Sequence, residues 1–159
     1  MWAVPDTEEQ YIQDIKAVFI YNFTKYIDWA DGDTSVAFTI CVFGDSQIIE
    51  PLREIAVKRR VNGRAIRIQQ LTSIDQLDDC HILFIPDSQA AITGNVVEAV
   101  EEQNVLVIGE VAGALDRGVM INFVLQQERV KFEINLQAMQ ESGLVPSSEL
   151  LKLAVRILE

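Results

Sequence analysis

Basic residues are scarce in this chain: 13 Lys and Arg stand against 24 Asp and Glu, a formal net charge of −11. A surface of that sign repels phosphate, which argues against general electrostatic binding to nucleic acid or to anionic membrane. Histidine occurs once, as His81, and cysteine twice, as Cys41 and Cys80, with no C-x-x-C. Structural zinc draws four Cys or His ligands as a rule, so no zinc site is expected. No apolar run approaches the roughly 18 residues of a membrane-spanning helix. The opening MWAVPDTEEQ has neither the basic n-region nor the apolar h-region of an export signal. The composition therefore fits a cytosolic chain or a mature exported chain whose signal peptide has been replaced by Met, and does not separate the two. Internal repeats, linkers and low-complexity segments are also missing, so residues 1–159 read as one domain.

With 159 residues, 49% of them hydrophobic, the chain can bury a substantial core. Tyr11, Ile12, Ile15, Val18, Phe19, Phe23, Tyr26 and Ile27 recur at spacings of three and four. They predict a long amphipathic helix, capped at Thr7 and ending near Asp28 and Trp29. ADGDTS follows as a turn. VAFTICVFG, HILFIP and VLVIGE are continuous apolar runs, as expected of strands covered on both faces. Between them lie a short helix in DSQIIEPLREIA, with Asp45 as cap and Pro51 delaying its start, and a tight turn at Asn62-Gly63 leading into a strand over 65–71. TSIDQLDDC reads as one helical turn capped by Ser73. SQAAITGNVVEAVEEQ reads as a helix capped by Ser88 and weakened by Gly94. The C-terminal third holds a hairpin, MINFVLQQERVKFEIN, then a helix stopped by Gly143, then a final helix over PSSELLKLAVRILE capped by Ser147 or Ser148. Strands alternating with helices predict an α/β fold of three layers, Rossmann-like or flavodoxin-like. Its sheet is mostly parallel, with helices on both faces and an antiparallel C-terminal hairpin strand.

No group of residues forms a convincing catalytic site. The loop VFGDSQ stands where α/β folds hold ligands, but it lacks both the P-loop and the G-x-G-x-x-G pattern. His81 and Cys80 are neighbours on a strand entrance and point to opposite faces, so they make no dyad. No Ser sits in a G-x-S-x-G elbow. Asp75, Asp78 and Asp79 match no calcium-loop spacing and read as a solvated turn. Lys58, Arg59 and Arg60 form the one basic cluster and read as an exposed face. No enzyme activity, metal or cofactor is expected. The aromatics of the first helix (Phe19, Tyr21, Phe23, Tyr26, Trp29) fit core burial better than a dimer face. Glu133 is the awkward residue, a carboxylate in the apolar run VKFEIN. Strand alternation sets Val130, Phe132 and Ile134 on one face and Lys131, Glu133 and Asn135 on the other, so Glu133 is expected at the surface. In a doubly wound sheet the first strand neighbours the third, so Cys41 and Cys80 could come within bridging distance. The pattern leaves a disulfide and two buried thiols equally open.

Several phrases in order carry a resemblance: KAVFIYNFTKYIDW (16–29), ICVFGD (40–45), RRVNGRAI (59–66), CHILFIP (80–86), GVMINFVL (118–125), VKFEINLQA (130–138) and SSELLKLA (147–154). Together they make the chain resemble the YfiR family of periplasmic regulators of c-di-GMP signalling. The resemblance implies an exported, mature periplasmic protein that forms a homodimer. With the lack of a catalytic constellation it implies no enzyme activity, and the acidic charge leaves no nucleic-acid partner expected. The implied action is repression of an inner-membrane diguanylate cyclase through its periplasmic portion, with relief by an outer-membrane lipoprotein and modulation by disulfide state. A sensor kinase or other receptor is the alternative membrane partner, and a metabolite-sensing α/β domain the alternative function. Cys41 and Cys80 match one disulfide of the family. A second would need cysteines near 111–125, where this sequence has none. The family's repression surface carries over onto Glu133, Asn135 and Met139, around which an apolar patch with a polar rim is expected.

Overall fold

A computed structural model describes residues 8–29 and 36–159, so the Thr7 cap and the 30–35 turn lie outside the described residues. Helix α1 (Glu8–Tyr26) buries Ala17, Ile20 and Phe23. It stops before the expected end because Ile27–Asp28 (β1) leaves the helix to pair antiparallel with Val145–Pro146 (β9). Strand β2 (Phe38–Phe43) follows, then helix α2 (Ile49–Lys58), strands β3 (Arg60–Val61), β4 (Arg64–Leu71) and β5 (Ile82–Phe84), and helix α3 (Thr93–Ala99). The remainder is strand β6 (Leu106–Gly109), hairpin β7 (Ile121–Gln126) and β8 (Arg129–Asn135), helix α4 (Leu136–Glu141), helix α5 (Ser148–Leu153) and strand β10 (Arg156–Leu158).

The main sheet has eight strands in the order β10-β8-β7-β6-β5-β2-β4-β3. All neighbours are parallel except the hairpins β7–β8 and β3–β4. The first main strand, β2, lies between β4 and β5, as in a doubly wound α/β sheet. Alternation along the strands sends Phe38, Ile40, Val42, Ile82, Phe84, Leu106 and Ile108 into one core, closed by α1, α2, α4 and α5. Cys41, Phe43, Leu83 and Val107 point into a second core, closed by α3 and by 3-10 turns at Ile74–Gln76 and Ala114–Arg117. Two-sided burial explains why these strands read as unbroken apolar runs. Both hairpin turns use left-handed backbone at their two central residues, Asn62 and Gly63 (φ 50° and 81°) and Gln127 and Glu128 (φ 53° and 67°), which matches the twist of the flanking strands.

Three expected helices are redrawn. Helix α2 begins after Ile48, not Asp45, and takes no side-chain cap; Pro51 fits in its first turn, where a missing N–H costs nothing. The run from Ser88 splits into a 3-10 segment, Asp87–Ile92, and the short α3. The final helix, capped by the Ser147 hydroxyl, ends at Leu153. Ala154 turns to extended backbone, the Val155 N–H donates to Phe132 O at 2.9 Å, and β10 adds in parallel to β8. Apolar spacing of three and four persisted through this stretch, but strand pairing with β8 outcompetes a last helical turn.

Cys41 and Cys80 form a disulfide. Cys41 sits mid-strand in β2, beside Leu83 of β5, and Cys80 lies just ahead of β5, giving a Cα–Cα distance of 5.9 Å. The bridge closes a sequence separation of 39 residues around β4 and its connections. Chain-entropy reasoning puts the stabilisation from such a loop at about 4 kcal/mol. Reduction, or the double substitution Cys41→Ala and Cys80→Ala, is expected to lower unfolding stability by roughly 2–4 kcal/mol. Urea denaturation followed by circular dichroism measures this; an unchanged midpoint would show that the bridge constrains nothing the sheet does not already hold.

Candidate functional site

Glu133 is buried, at 8% exposure, which corrects the surface position expected from strand alternation. The alternation itself holds, but the face opposite the first core is covered too. Register places Glu133 between Asn122 of β7 and Arg156 of β10. Asn122 Nδ2 donates to Glu133 Oε2 at 3.0 Å, and Arg156 Nη1 donates to Glu133 Oε1 at 3.0 Å. Asn122 is fully buried and also donates to Val111 O at 2.8 Å. Gly109 of β6, paired in register with Asn122, completes a row across four strands; a Cβ there would stand 3.2 Å from Asn122 Oδ1. The carboxylate is therefore satisfied on both sides.

Asn135, two residues on, is also buried. Its Oδ1 accepts the Ala138 N–H and so caps α4, while its Nδ2 donates to Leu115 O at 3.0 Å. Met139 is 0% exposed and belongs to the first core. Glu133 and Asn135 thus share a face, and Met139 does not. The exposed apolar residues of this region stand one element further along: Leu153 (60% exposed), Val155 (41%) and Ile157 (38%), at and just before the edge strand β10.

A second polar group lies beneath α1, at the C-terminal ends of β5 and β6. Lys16 Nζ donates to Glu110 Oε1 at 2.7 Å, with both side chains almost fully buried, and the ammonium stands 5.7 Å from the centre of the Phe123 ring. Glu110 Oε2 accepts the Asp87 N–H at 2.9 Å. Gln13 Oε1 is buried at the same place without a partner. An open cleft of about 370 Å³ above this pair is bordered by Asp45, Ser46, Pro86 and Ser88. This is where open α/β sheets hold ligands.

His81 serves the fold. Its Nδ1 accepts the Thr39 N–H at 3.1 Å, its ring stacks on Phe38 at 4.7 Å, and its carbonyl receives Trp29 Nε1 at 3.0 Å. Asp75, Asp78 and Asp79 are exposed, as are Lys58, Arg59 and Arg60. Sequence reasoning missed Lys16, Glu110, Asn122 and Arg156. The available signals were a Lys inside the apolar stripe of α1, four residues after Ile12, and an Asn inside the apolar run MINFVL.

The profile of the YfiR/HmsC-like family matches residues 13–155, most of the chain. The chain belongs to the YfiR/HmsC-like family. No curated protein matches it. Among solved structures it is similar to a conserved domain protein from Vibrio cholerae O1 biovar El Tor, with a TM-score of 0.64, 10% identity, and coverage of 91% of this chain and 60% of that one. It is also similar to the ABC domain from Streptococcus pneumonia in complex with L-Trp, with a TM-score of 0.63, 14% identity, and coverage of 92% and 60%. At such identities the likeness is one of fold, and the chain spans about 60% of each of those proteins. The YfiR/HmsC-like match takes in Lys16, Glu110, Asn122 and Glu133 and ends at the threshold of β10. No helix among the described residues is long and apolar enough to cross a membrane.

Lys16→Met would leave Glu110 buried without its cation, and a loss of roughly 3–5 kcal/mol is expected for breaking such a pair. Adding Glu110→Met should restore much of that loss. A double-mutant cycle in urea tests the coupling; additive effects would mean that the two side chains do not sense each other.

Proposed function

We propose that this protein is a periplasmic repressor that binds the periplasmic portion of an inner-membrane diguanylate cyclase. The observation that carries this reading is the YfiR/HmsC-like match over residues 13–155, which supports a periplasmic regulator of c-di-GMP signalling in general terms. The same family is known as regulatory and not catalytic. The geometry refines where the partner would be met. Glu133, Asn135 and Met139 are covered, so their contribution is to hold β10 and α4 in place. The surface offered to a partner is the short open edge of β10 with Leu153, Val155 and Ile157 around it. An exposed strand edge flanked by apolar side chains suits docking by strand addition. An outer-membrane lipoprotein that relieves repression would compete for this edge, as would a second copy in a homodimer. A sensor kinase with a periplasmic domain is the alternative membrane partner.

Co-expression with a membrane cyclase of the same organism, reading cellular c-di-GMP, tests the proposal. The wild-type chain should lower c-di-GMP several-fold. Leu153→Glu with Ile157→Glu should return it to the level of the cyclase alone, with circular dichroism unchanged. Repression that survives both charges would remove the β10 edge from the interface. Glu133→Lys is a poor probe, because it also sets a cation against Arg156 and so loosens β10.

A metabolite-sensing domain is the second reading. It is favoured by the strand-end cleft over Lys16 and Glu110, where Gln13 Oε1 lacks a partner, and by a similar fold solved with L-Trp. A thermal shift of a few degrees with one member of an amino-acid and nucleotide panel, lost in Gln13→Leu, is the expected outcome. No shift across the panel would set this reading aside.

A further inference from the structure

A cleft of about 500 Å³ opens at the end of the sheet where β6 begins and β10 ends. Its floor is apolar and comes from four separate elements: Val97 of α3, Val107 of β6, Leu115 of the 3-10 turn and Leu158 of β10. Its rim is acidic. Glu101, Glu102, Asp116 and Glu141 all border it, all are exposed, and no Lys, Arg or His is among the described residues that line it. Arg117 follows Asp116 in the chain but lies outside the lining. None of the four carboxylates has an ion-pair partner among the described residues.

The cleft is built into the fold. Gly118 lets the 3-10 turn approach α3 so closely that a Cβ there would lie 2.7 Å from Val97 Cγ1. Glu102 and Asn104 both adopt left-handed backbone (φ 61° and 58°), and the Asn104 side chain ties that turn to the Ser142 carbonyl at the end of α4. Ser142 also lines the cleft. It is 4% exposed, and its hydroxyl is buried with no hydrogen-bond partner. Four like charges around one opening set a local negative potential that favours a cationic occupant. The chain thus holds a preformed apolar trough with a negative rim, and a buried hydroxyl without a partner in its wall.

We infer that this cleft docks a basic, amphipathic segment of the membrane partner, its apolar side chains on the floor and its Lys or Arg residues on the rim. Charge complementarity selects this occupant. A second copy of the chain carries net charge −11, and an acidic or purely apolar segment would leave the rim unpaired. The inference rests on the repressor reading and specifies its partner. Leu158 belongs both to the cleft floor and to β10, so a segment pairing with that edge runs directly into the cleft.

A short fluorescein-labelled peptide alternating Leu with Lys serves as the probe, with its Glu-for-Lys counterpart as control, read by anisotropy on the full chain. Binding of the Lys peptide alone is expected. It should weaken roughly tenfold or more when Glu101, Glu102 and Glu141 become Gln and Asp116 becomes Asn, and also on raising salt from about 50 to about 300 mM. Two further variants separate the cleft from net charge. Neutralising Glu8, Glu9, Glu50 and Glu54 to Gln should leave binding within about twofold, because those residues are exposed on α1 and α2 and none of them borders the cleft. Ala138 of α4 also lines the cleft, so Ala138→Trp fills it at constant charge and should abolish binding, with circular dichroism confirming the fold. No binding by the wild type, equal losses in the two charge variants, or an indifferent Ala138→Trp would each overturn the inference. In the cyclase assay, a rim-neutral variant that still represses would also overturn it while leaving the repressor reading intact. A wild type that fails to repress would sink that reading on separate grounds.

Discussion

The carboxylate of Glu133 is the constraint on which the C-terminal third depends. A buried charge is costly unless each oxygen is answered, and here the answers come from opposite directions: Asn122 on one neighbouring strand and Arg156 on the other. Arg156 remains about half exposed, so its ion pair contributes little by itself. Its importance is geometric. Only β10 in this register brings a donor to Oε1, and a helical continuation of α5 would carry Arg156 away. The acid therefore selects a strand where the apolar spacing alone suggested a helix. That strand forms the edge of the sheet, places Leu153, Val155 and Ile157 in the open, and brings Leu158 to the floor of the acidic cleft.

The Lys16–Glu110 pair solves the same problem on the opposite face of the sheet, one residue beyond Gly109 of that row. There α1 crosses the C-terminal ends of the strands, and Glu110, just after β6, would be stranded beneath it without the ammonium. Lys16 gains a second partner in the face of Phe123. A hydrophobic replacement of both groups would pack as well, so the retained pair contributes placement more than stability. It fixes α1 over the switch between β2 and β5 and keeps the strand-end cleft polar. The two buried acids therefore fasten the first helix and the last strand of the described chain.

Much of this fold was legible in the sequence where local and global preferences agree. The unbroken apolar runs gave the buried strands, Asn62-Gly63 gave a turn that needs left-handed backbone twice, and Ser73 and Ser147 cap the segments they precede. The misses fall where a tertiary partner decides. The end of α1 yields to β9, and the tail of the final helix yields to β8. Glu133 was misplaced because period-two alternation says which face a residue takes, not whether that face is covered. The coverage comes from the Val111–Leu115 segment and from β10, both distant in sequence. Asn135 and Met139 were singled out by resemblance, and their surroundings show roles as a helix cap and a core residue. The cleft rim could not be read at all, since Glu101, Glu102, Asp116 and Glu141 meet only in the folded chain.

The position of the disulfide limits how redox state could reach a partner. Cys41 and Cys80 join β2 to the entrance of β5, in the second core, whereas β10 lies four strands beyond β5 across the sheet. Neither sulfur borders the β10 edge or the acidic cleft. A bridge at that distance cannot act by contact. Any effect of opening it would travel through the stability of the β2–β5 centre, from which the parallel ladder runs out through β6 and β7 to the hairpin. Opening the bridge removes a constraint worth a few kcal/mol, a sizeable part of the stability of a domain this size. The consequence falls on every strand that uses the centre as its template. Redox control of this chain, under the repressor reading, would thus be graded through the folded fraction, with the β10 edge keeping its geometry in every molecule that remains folded.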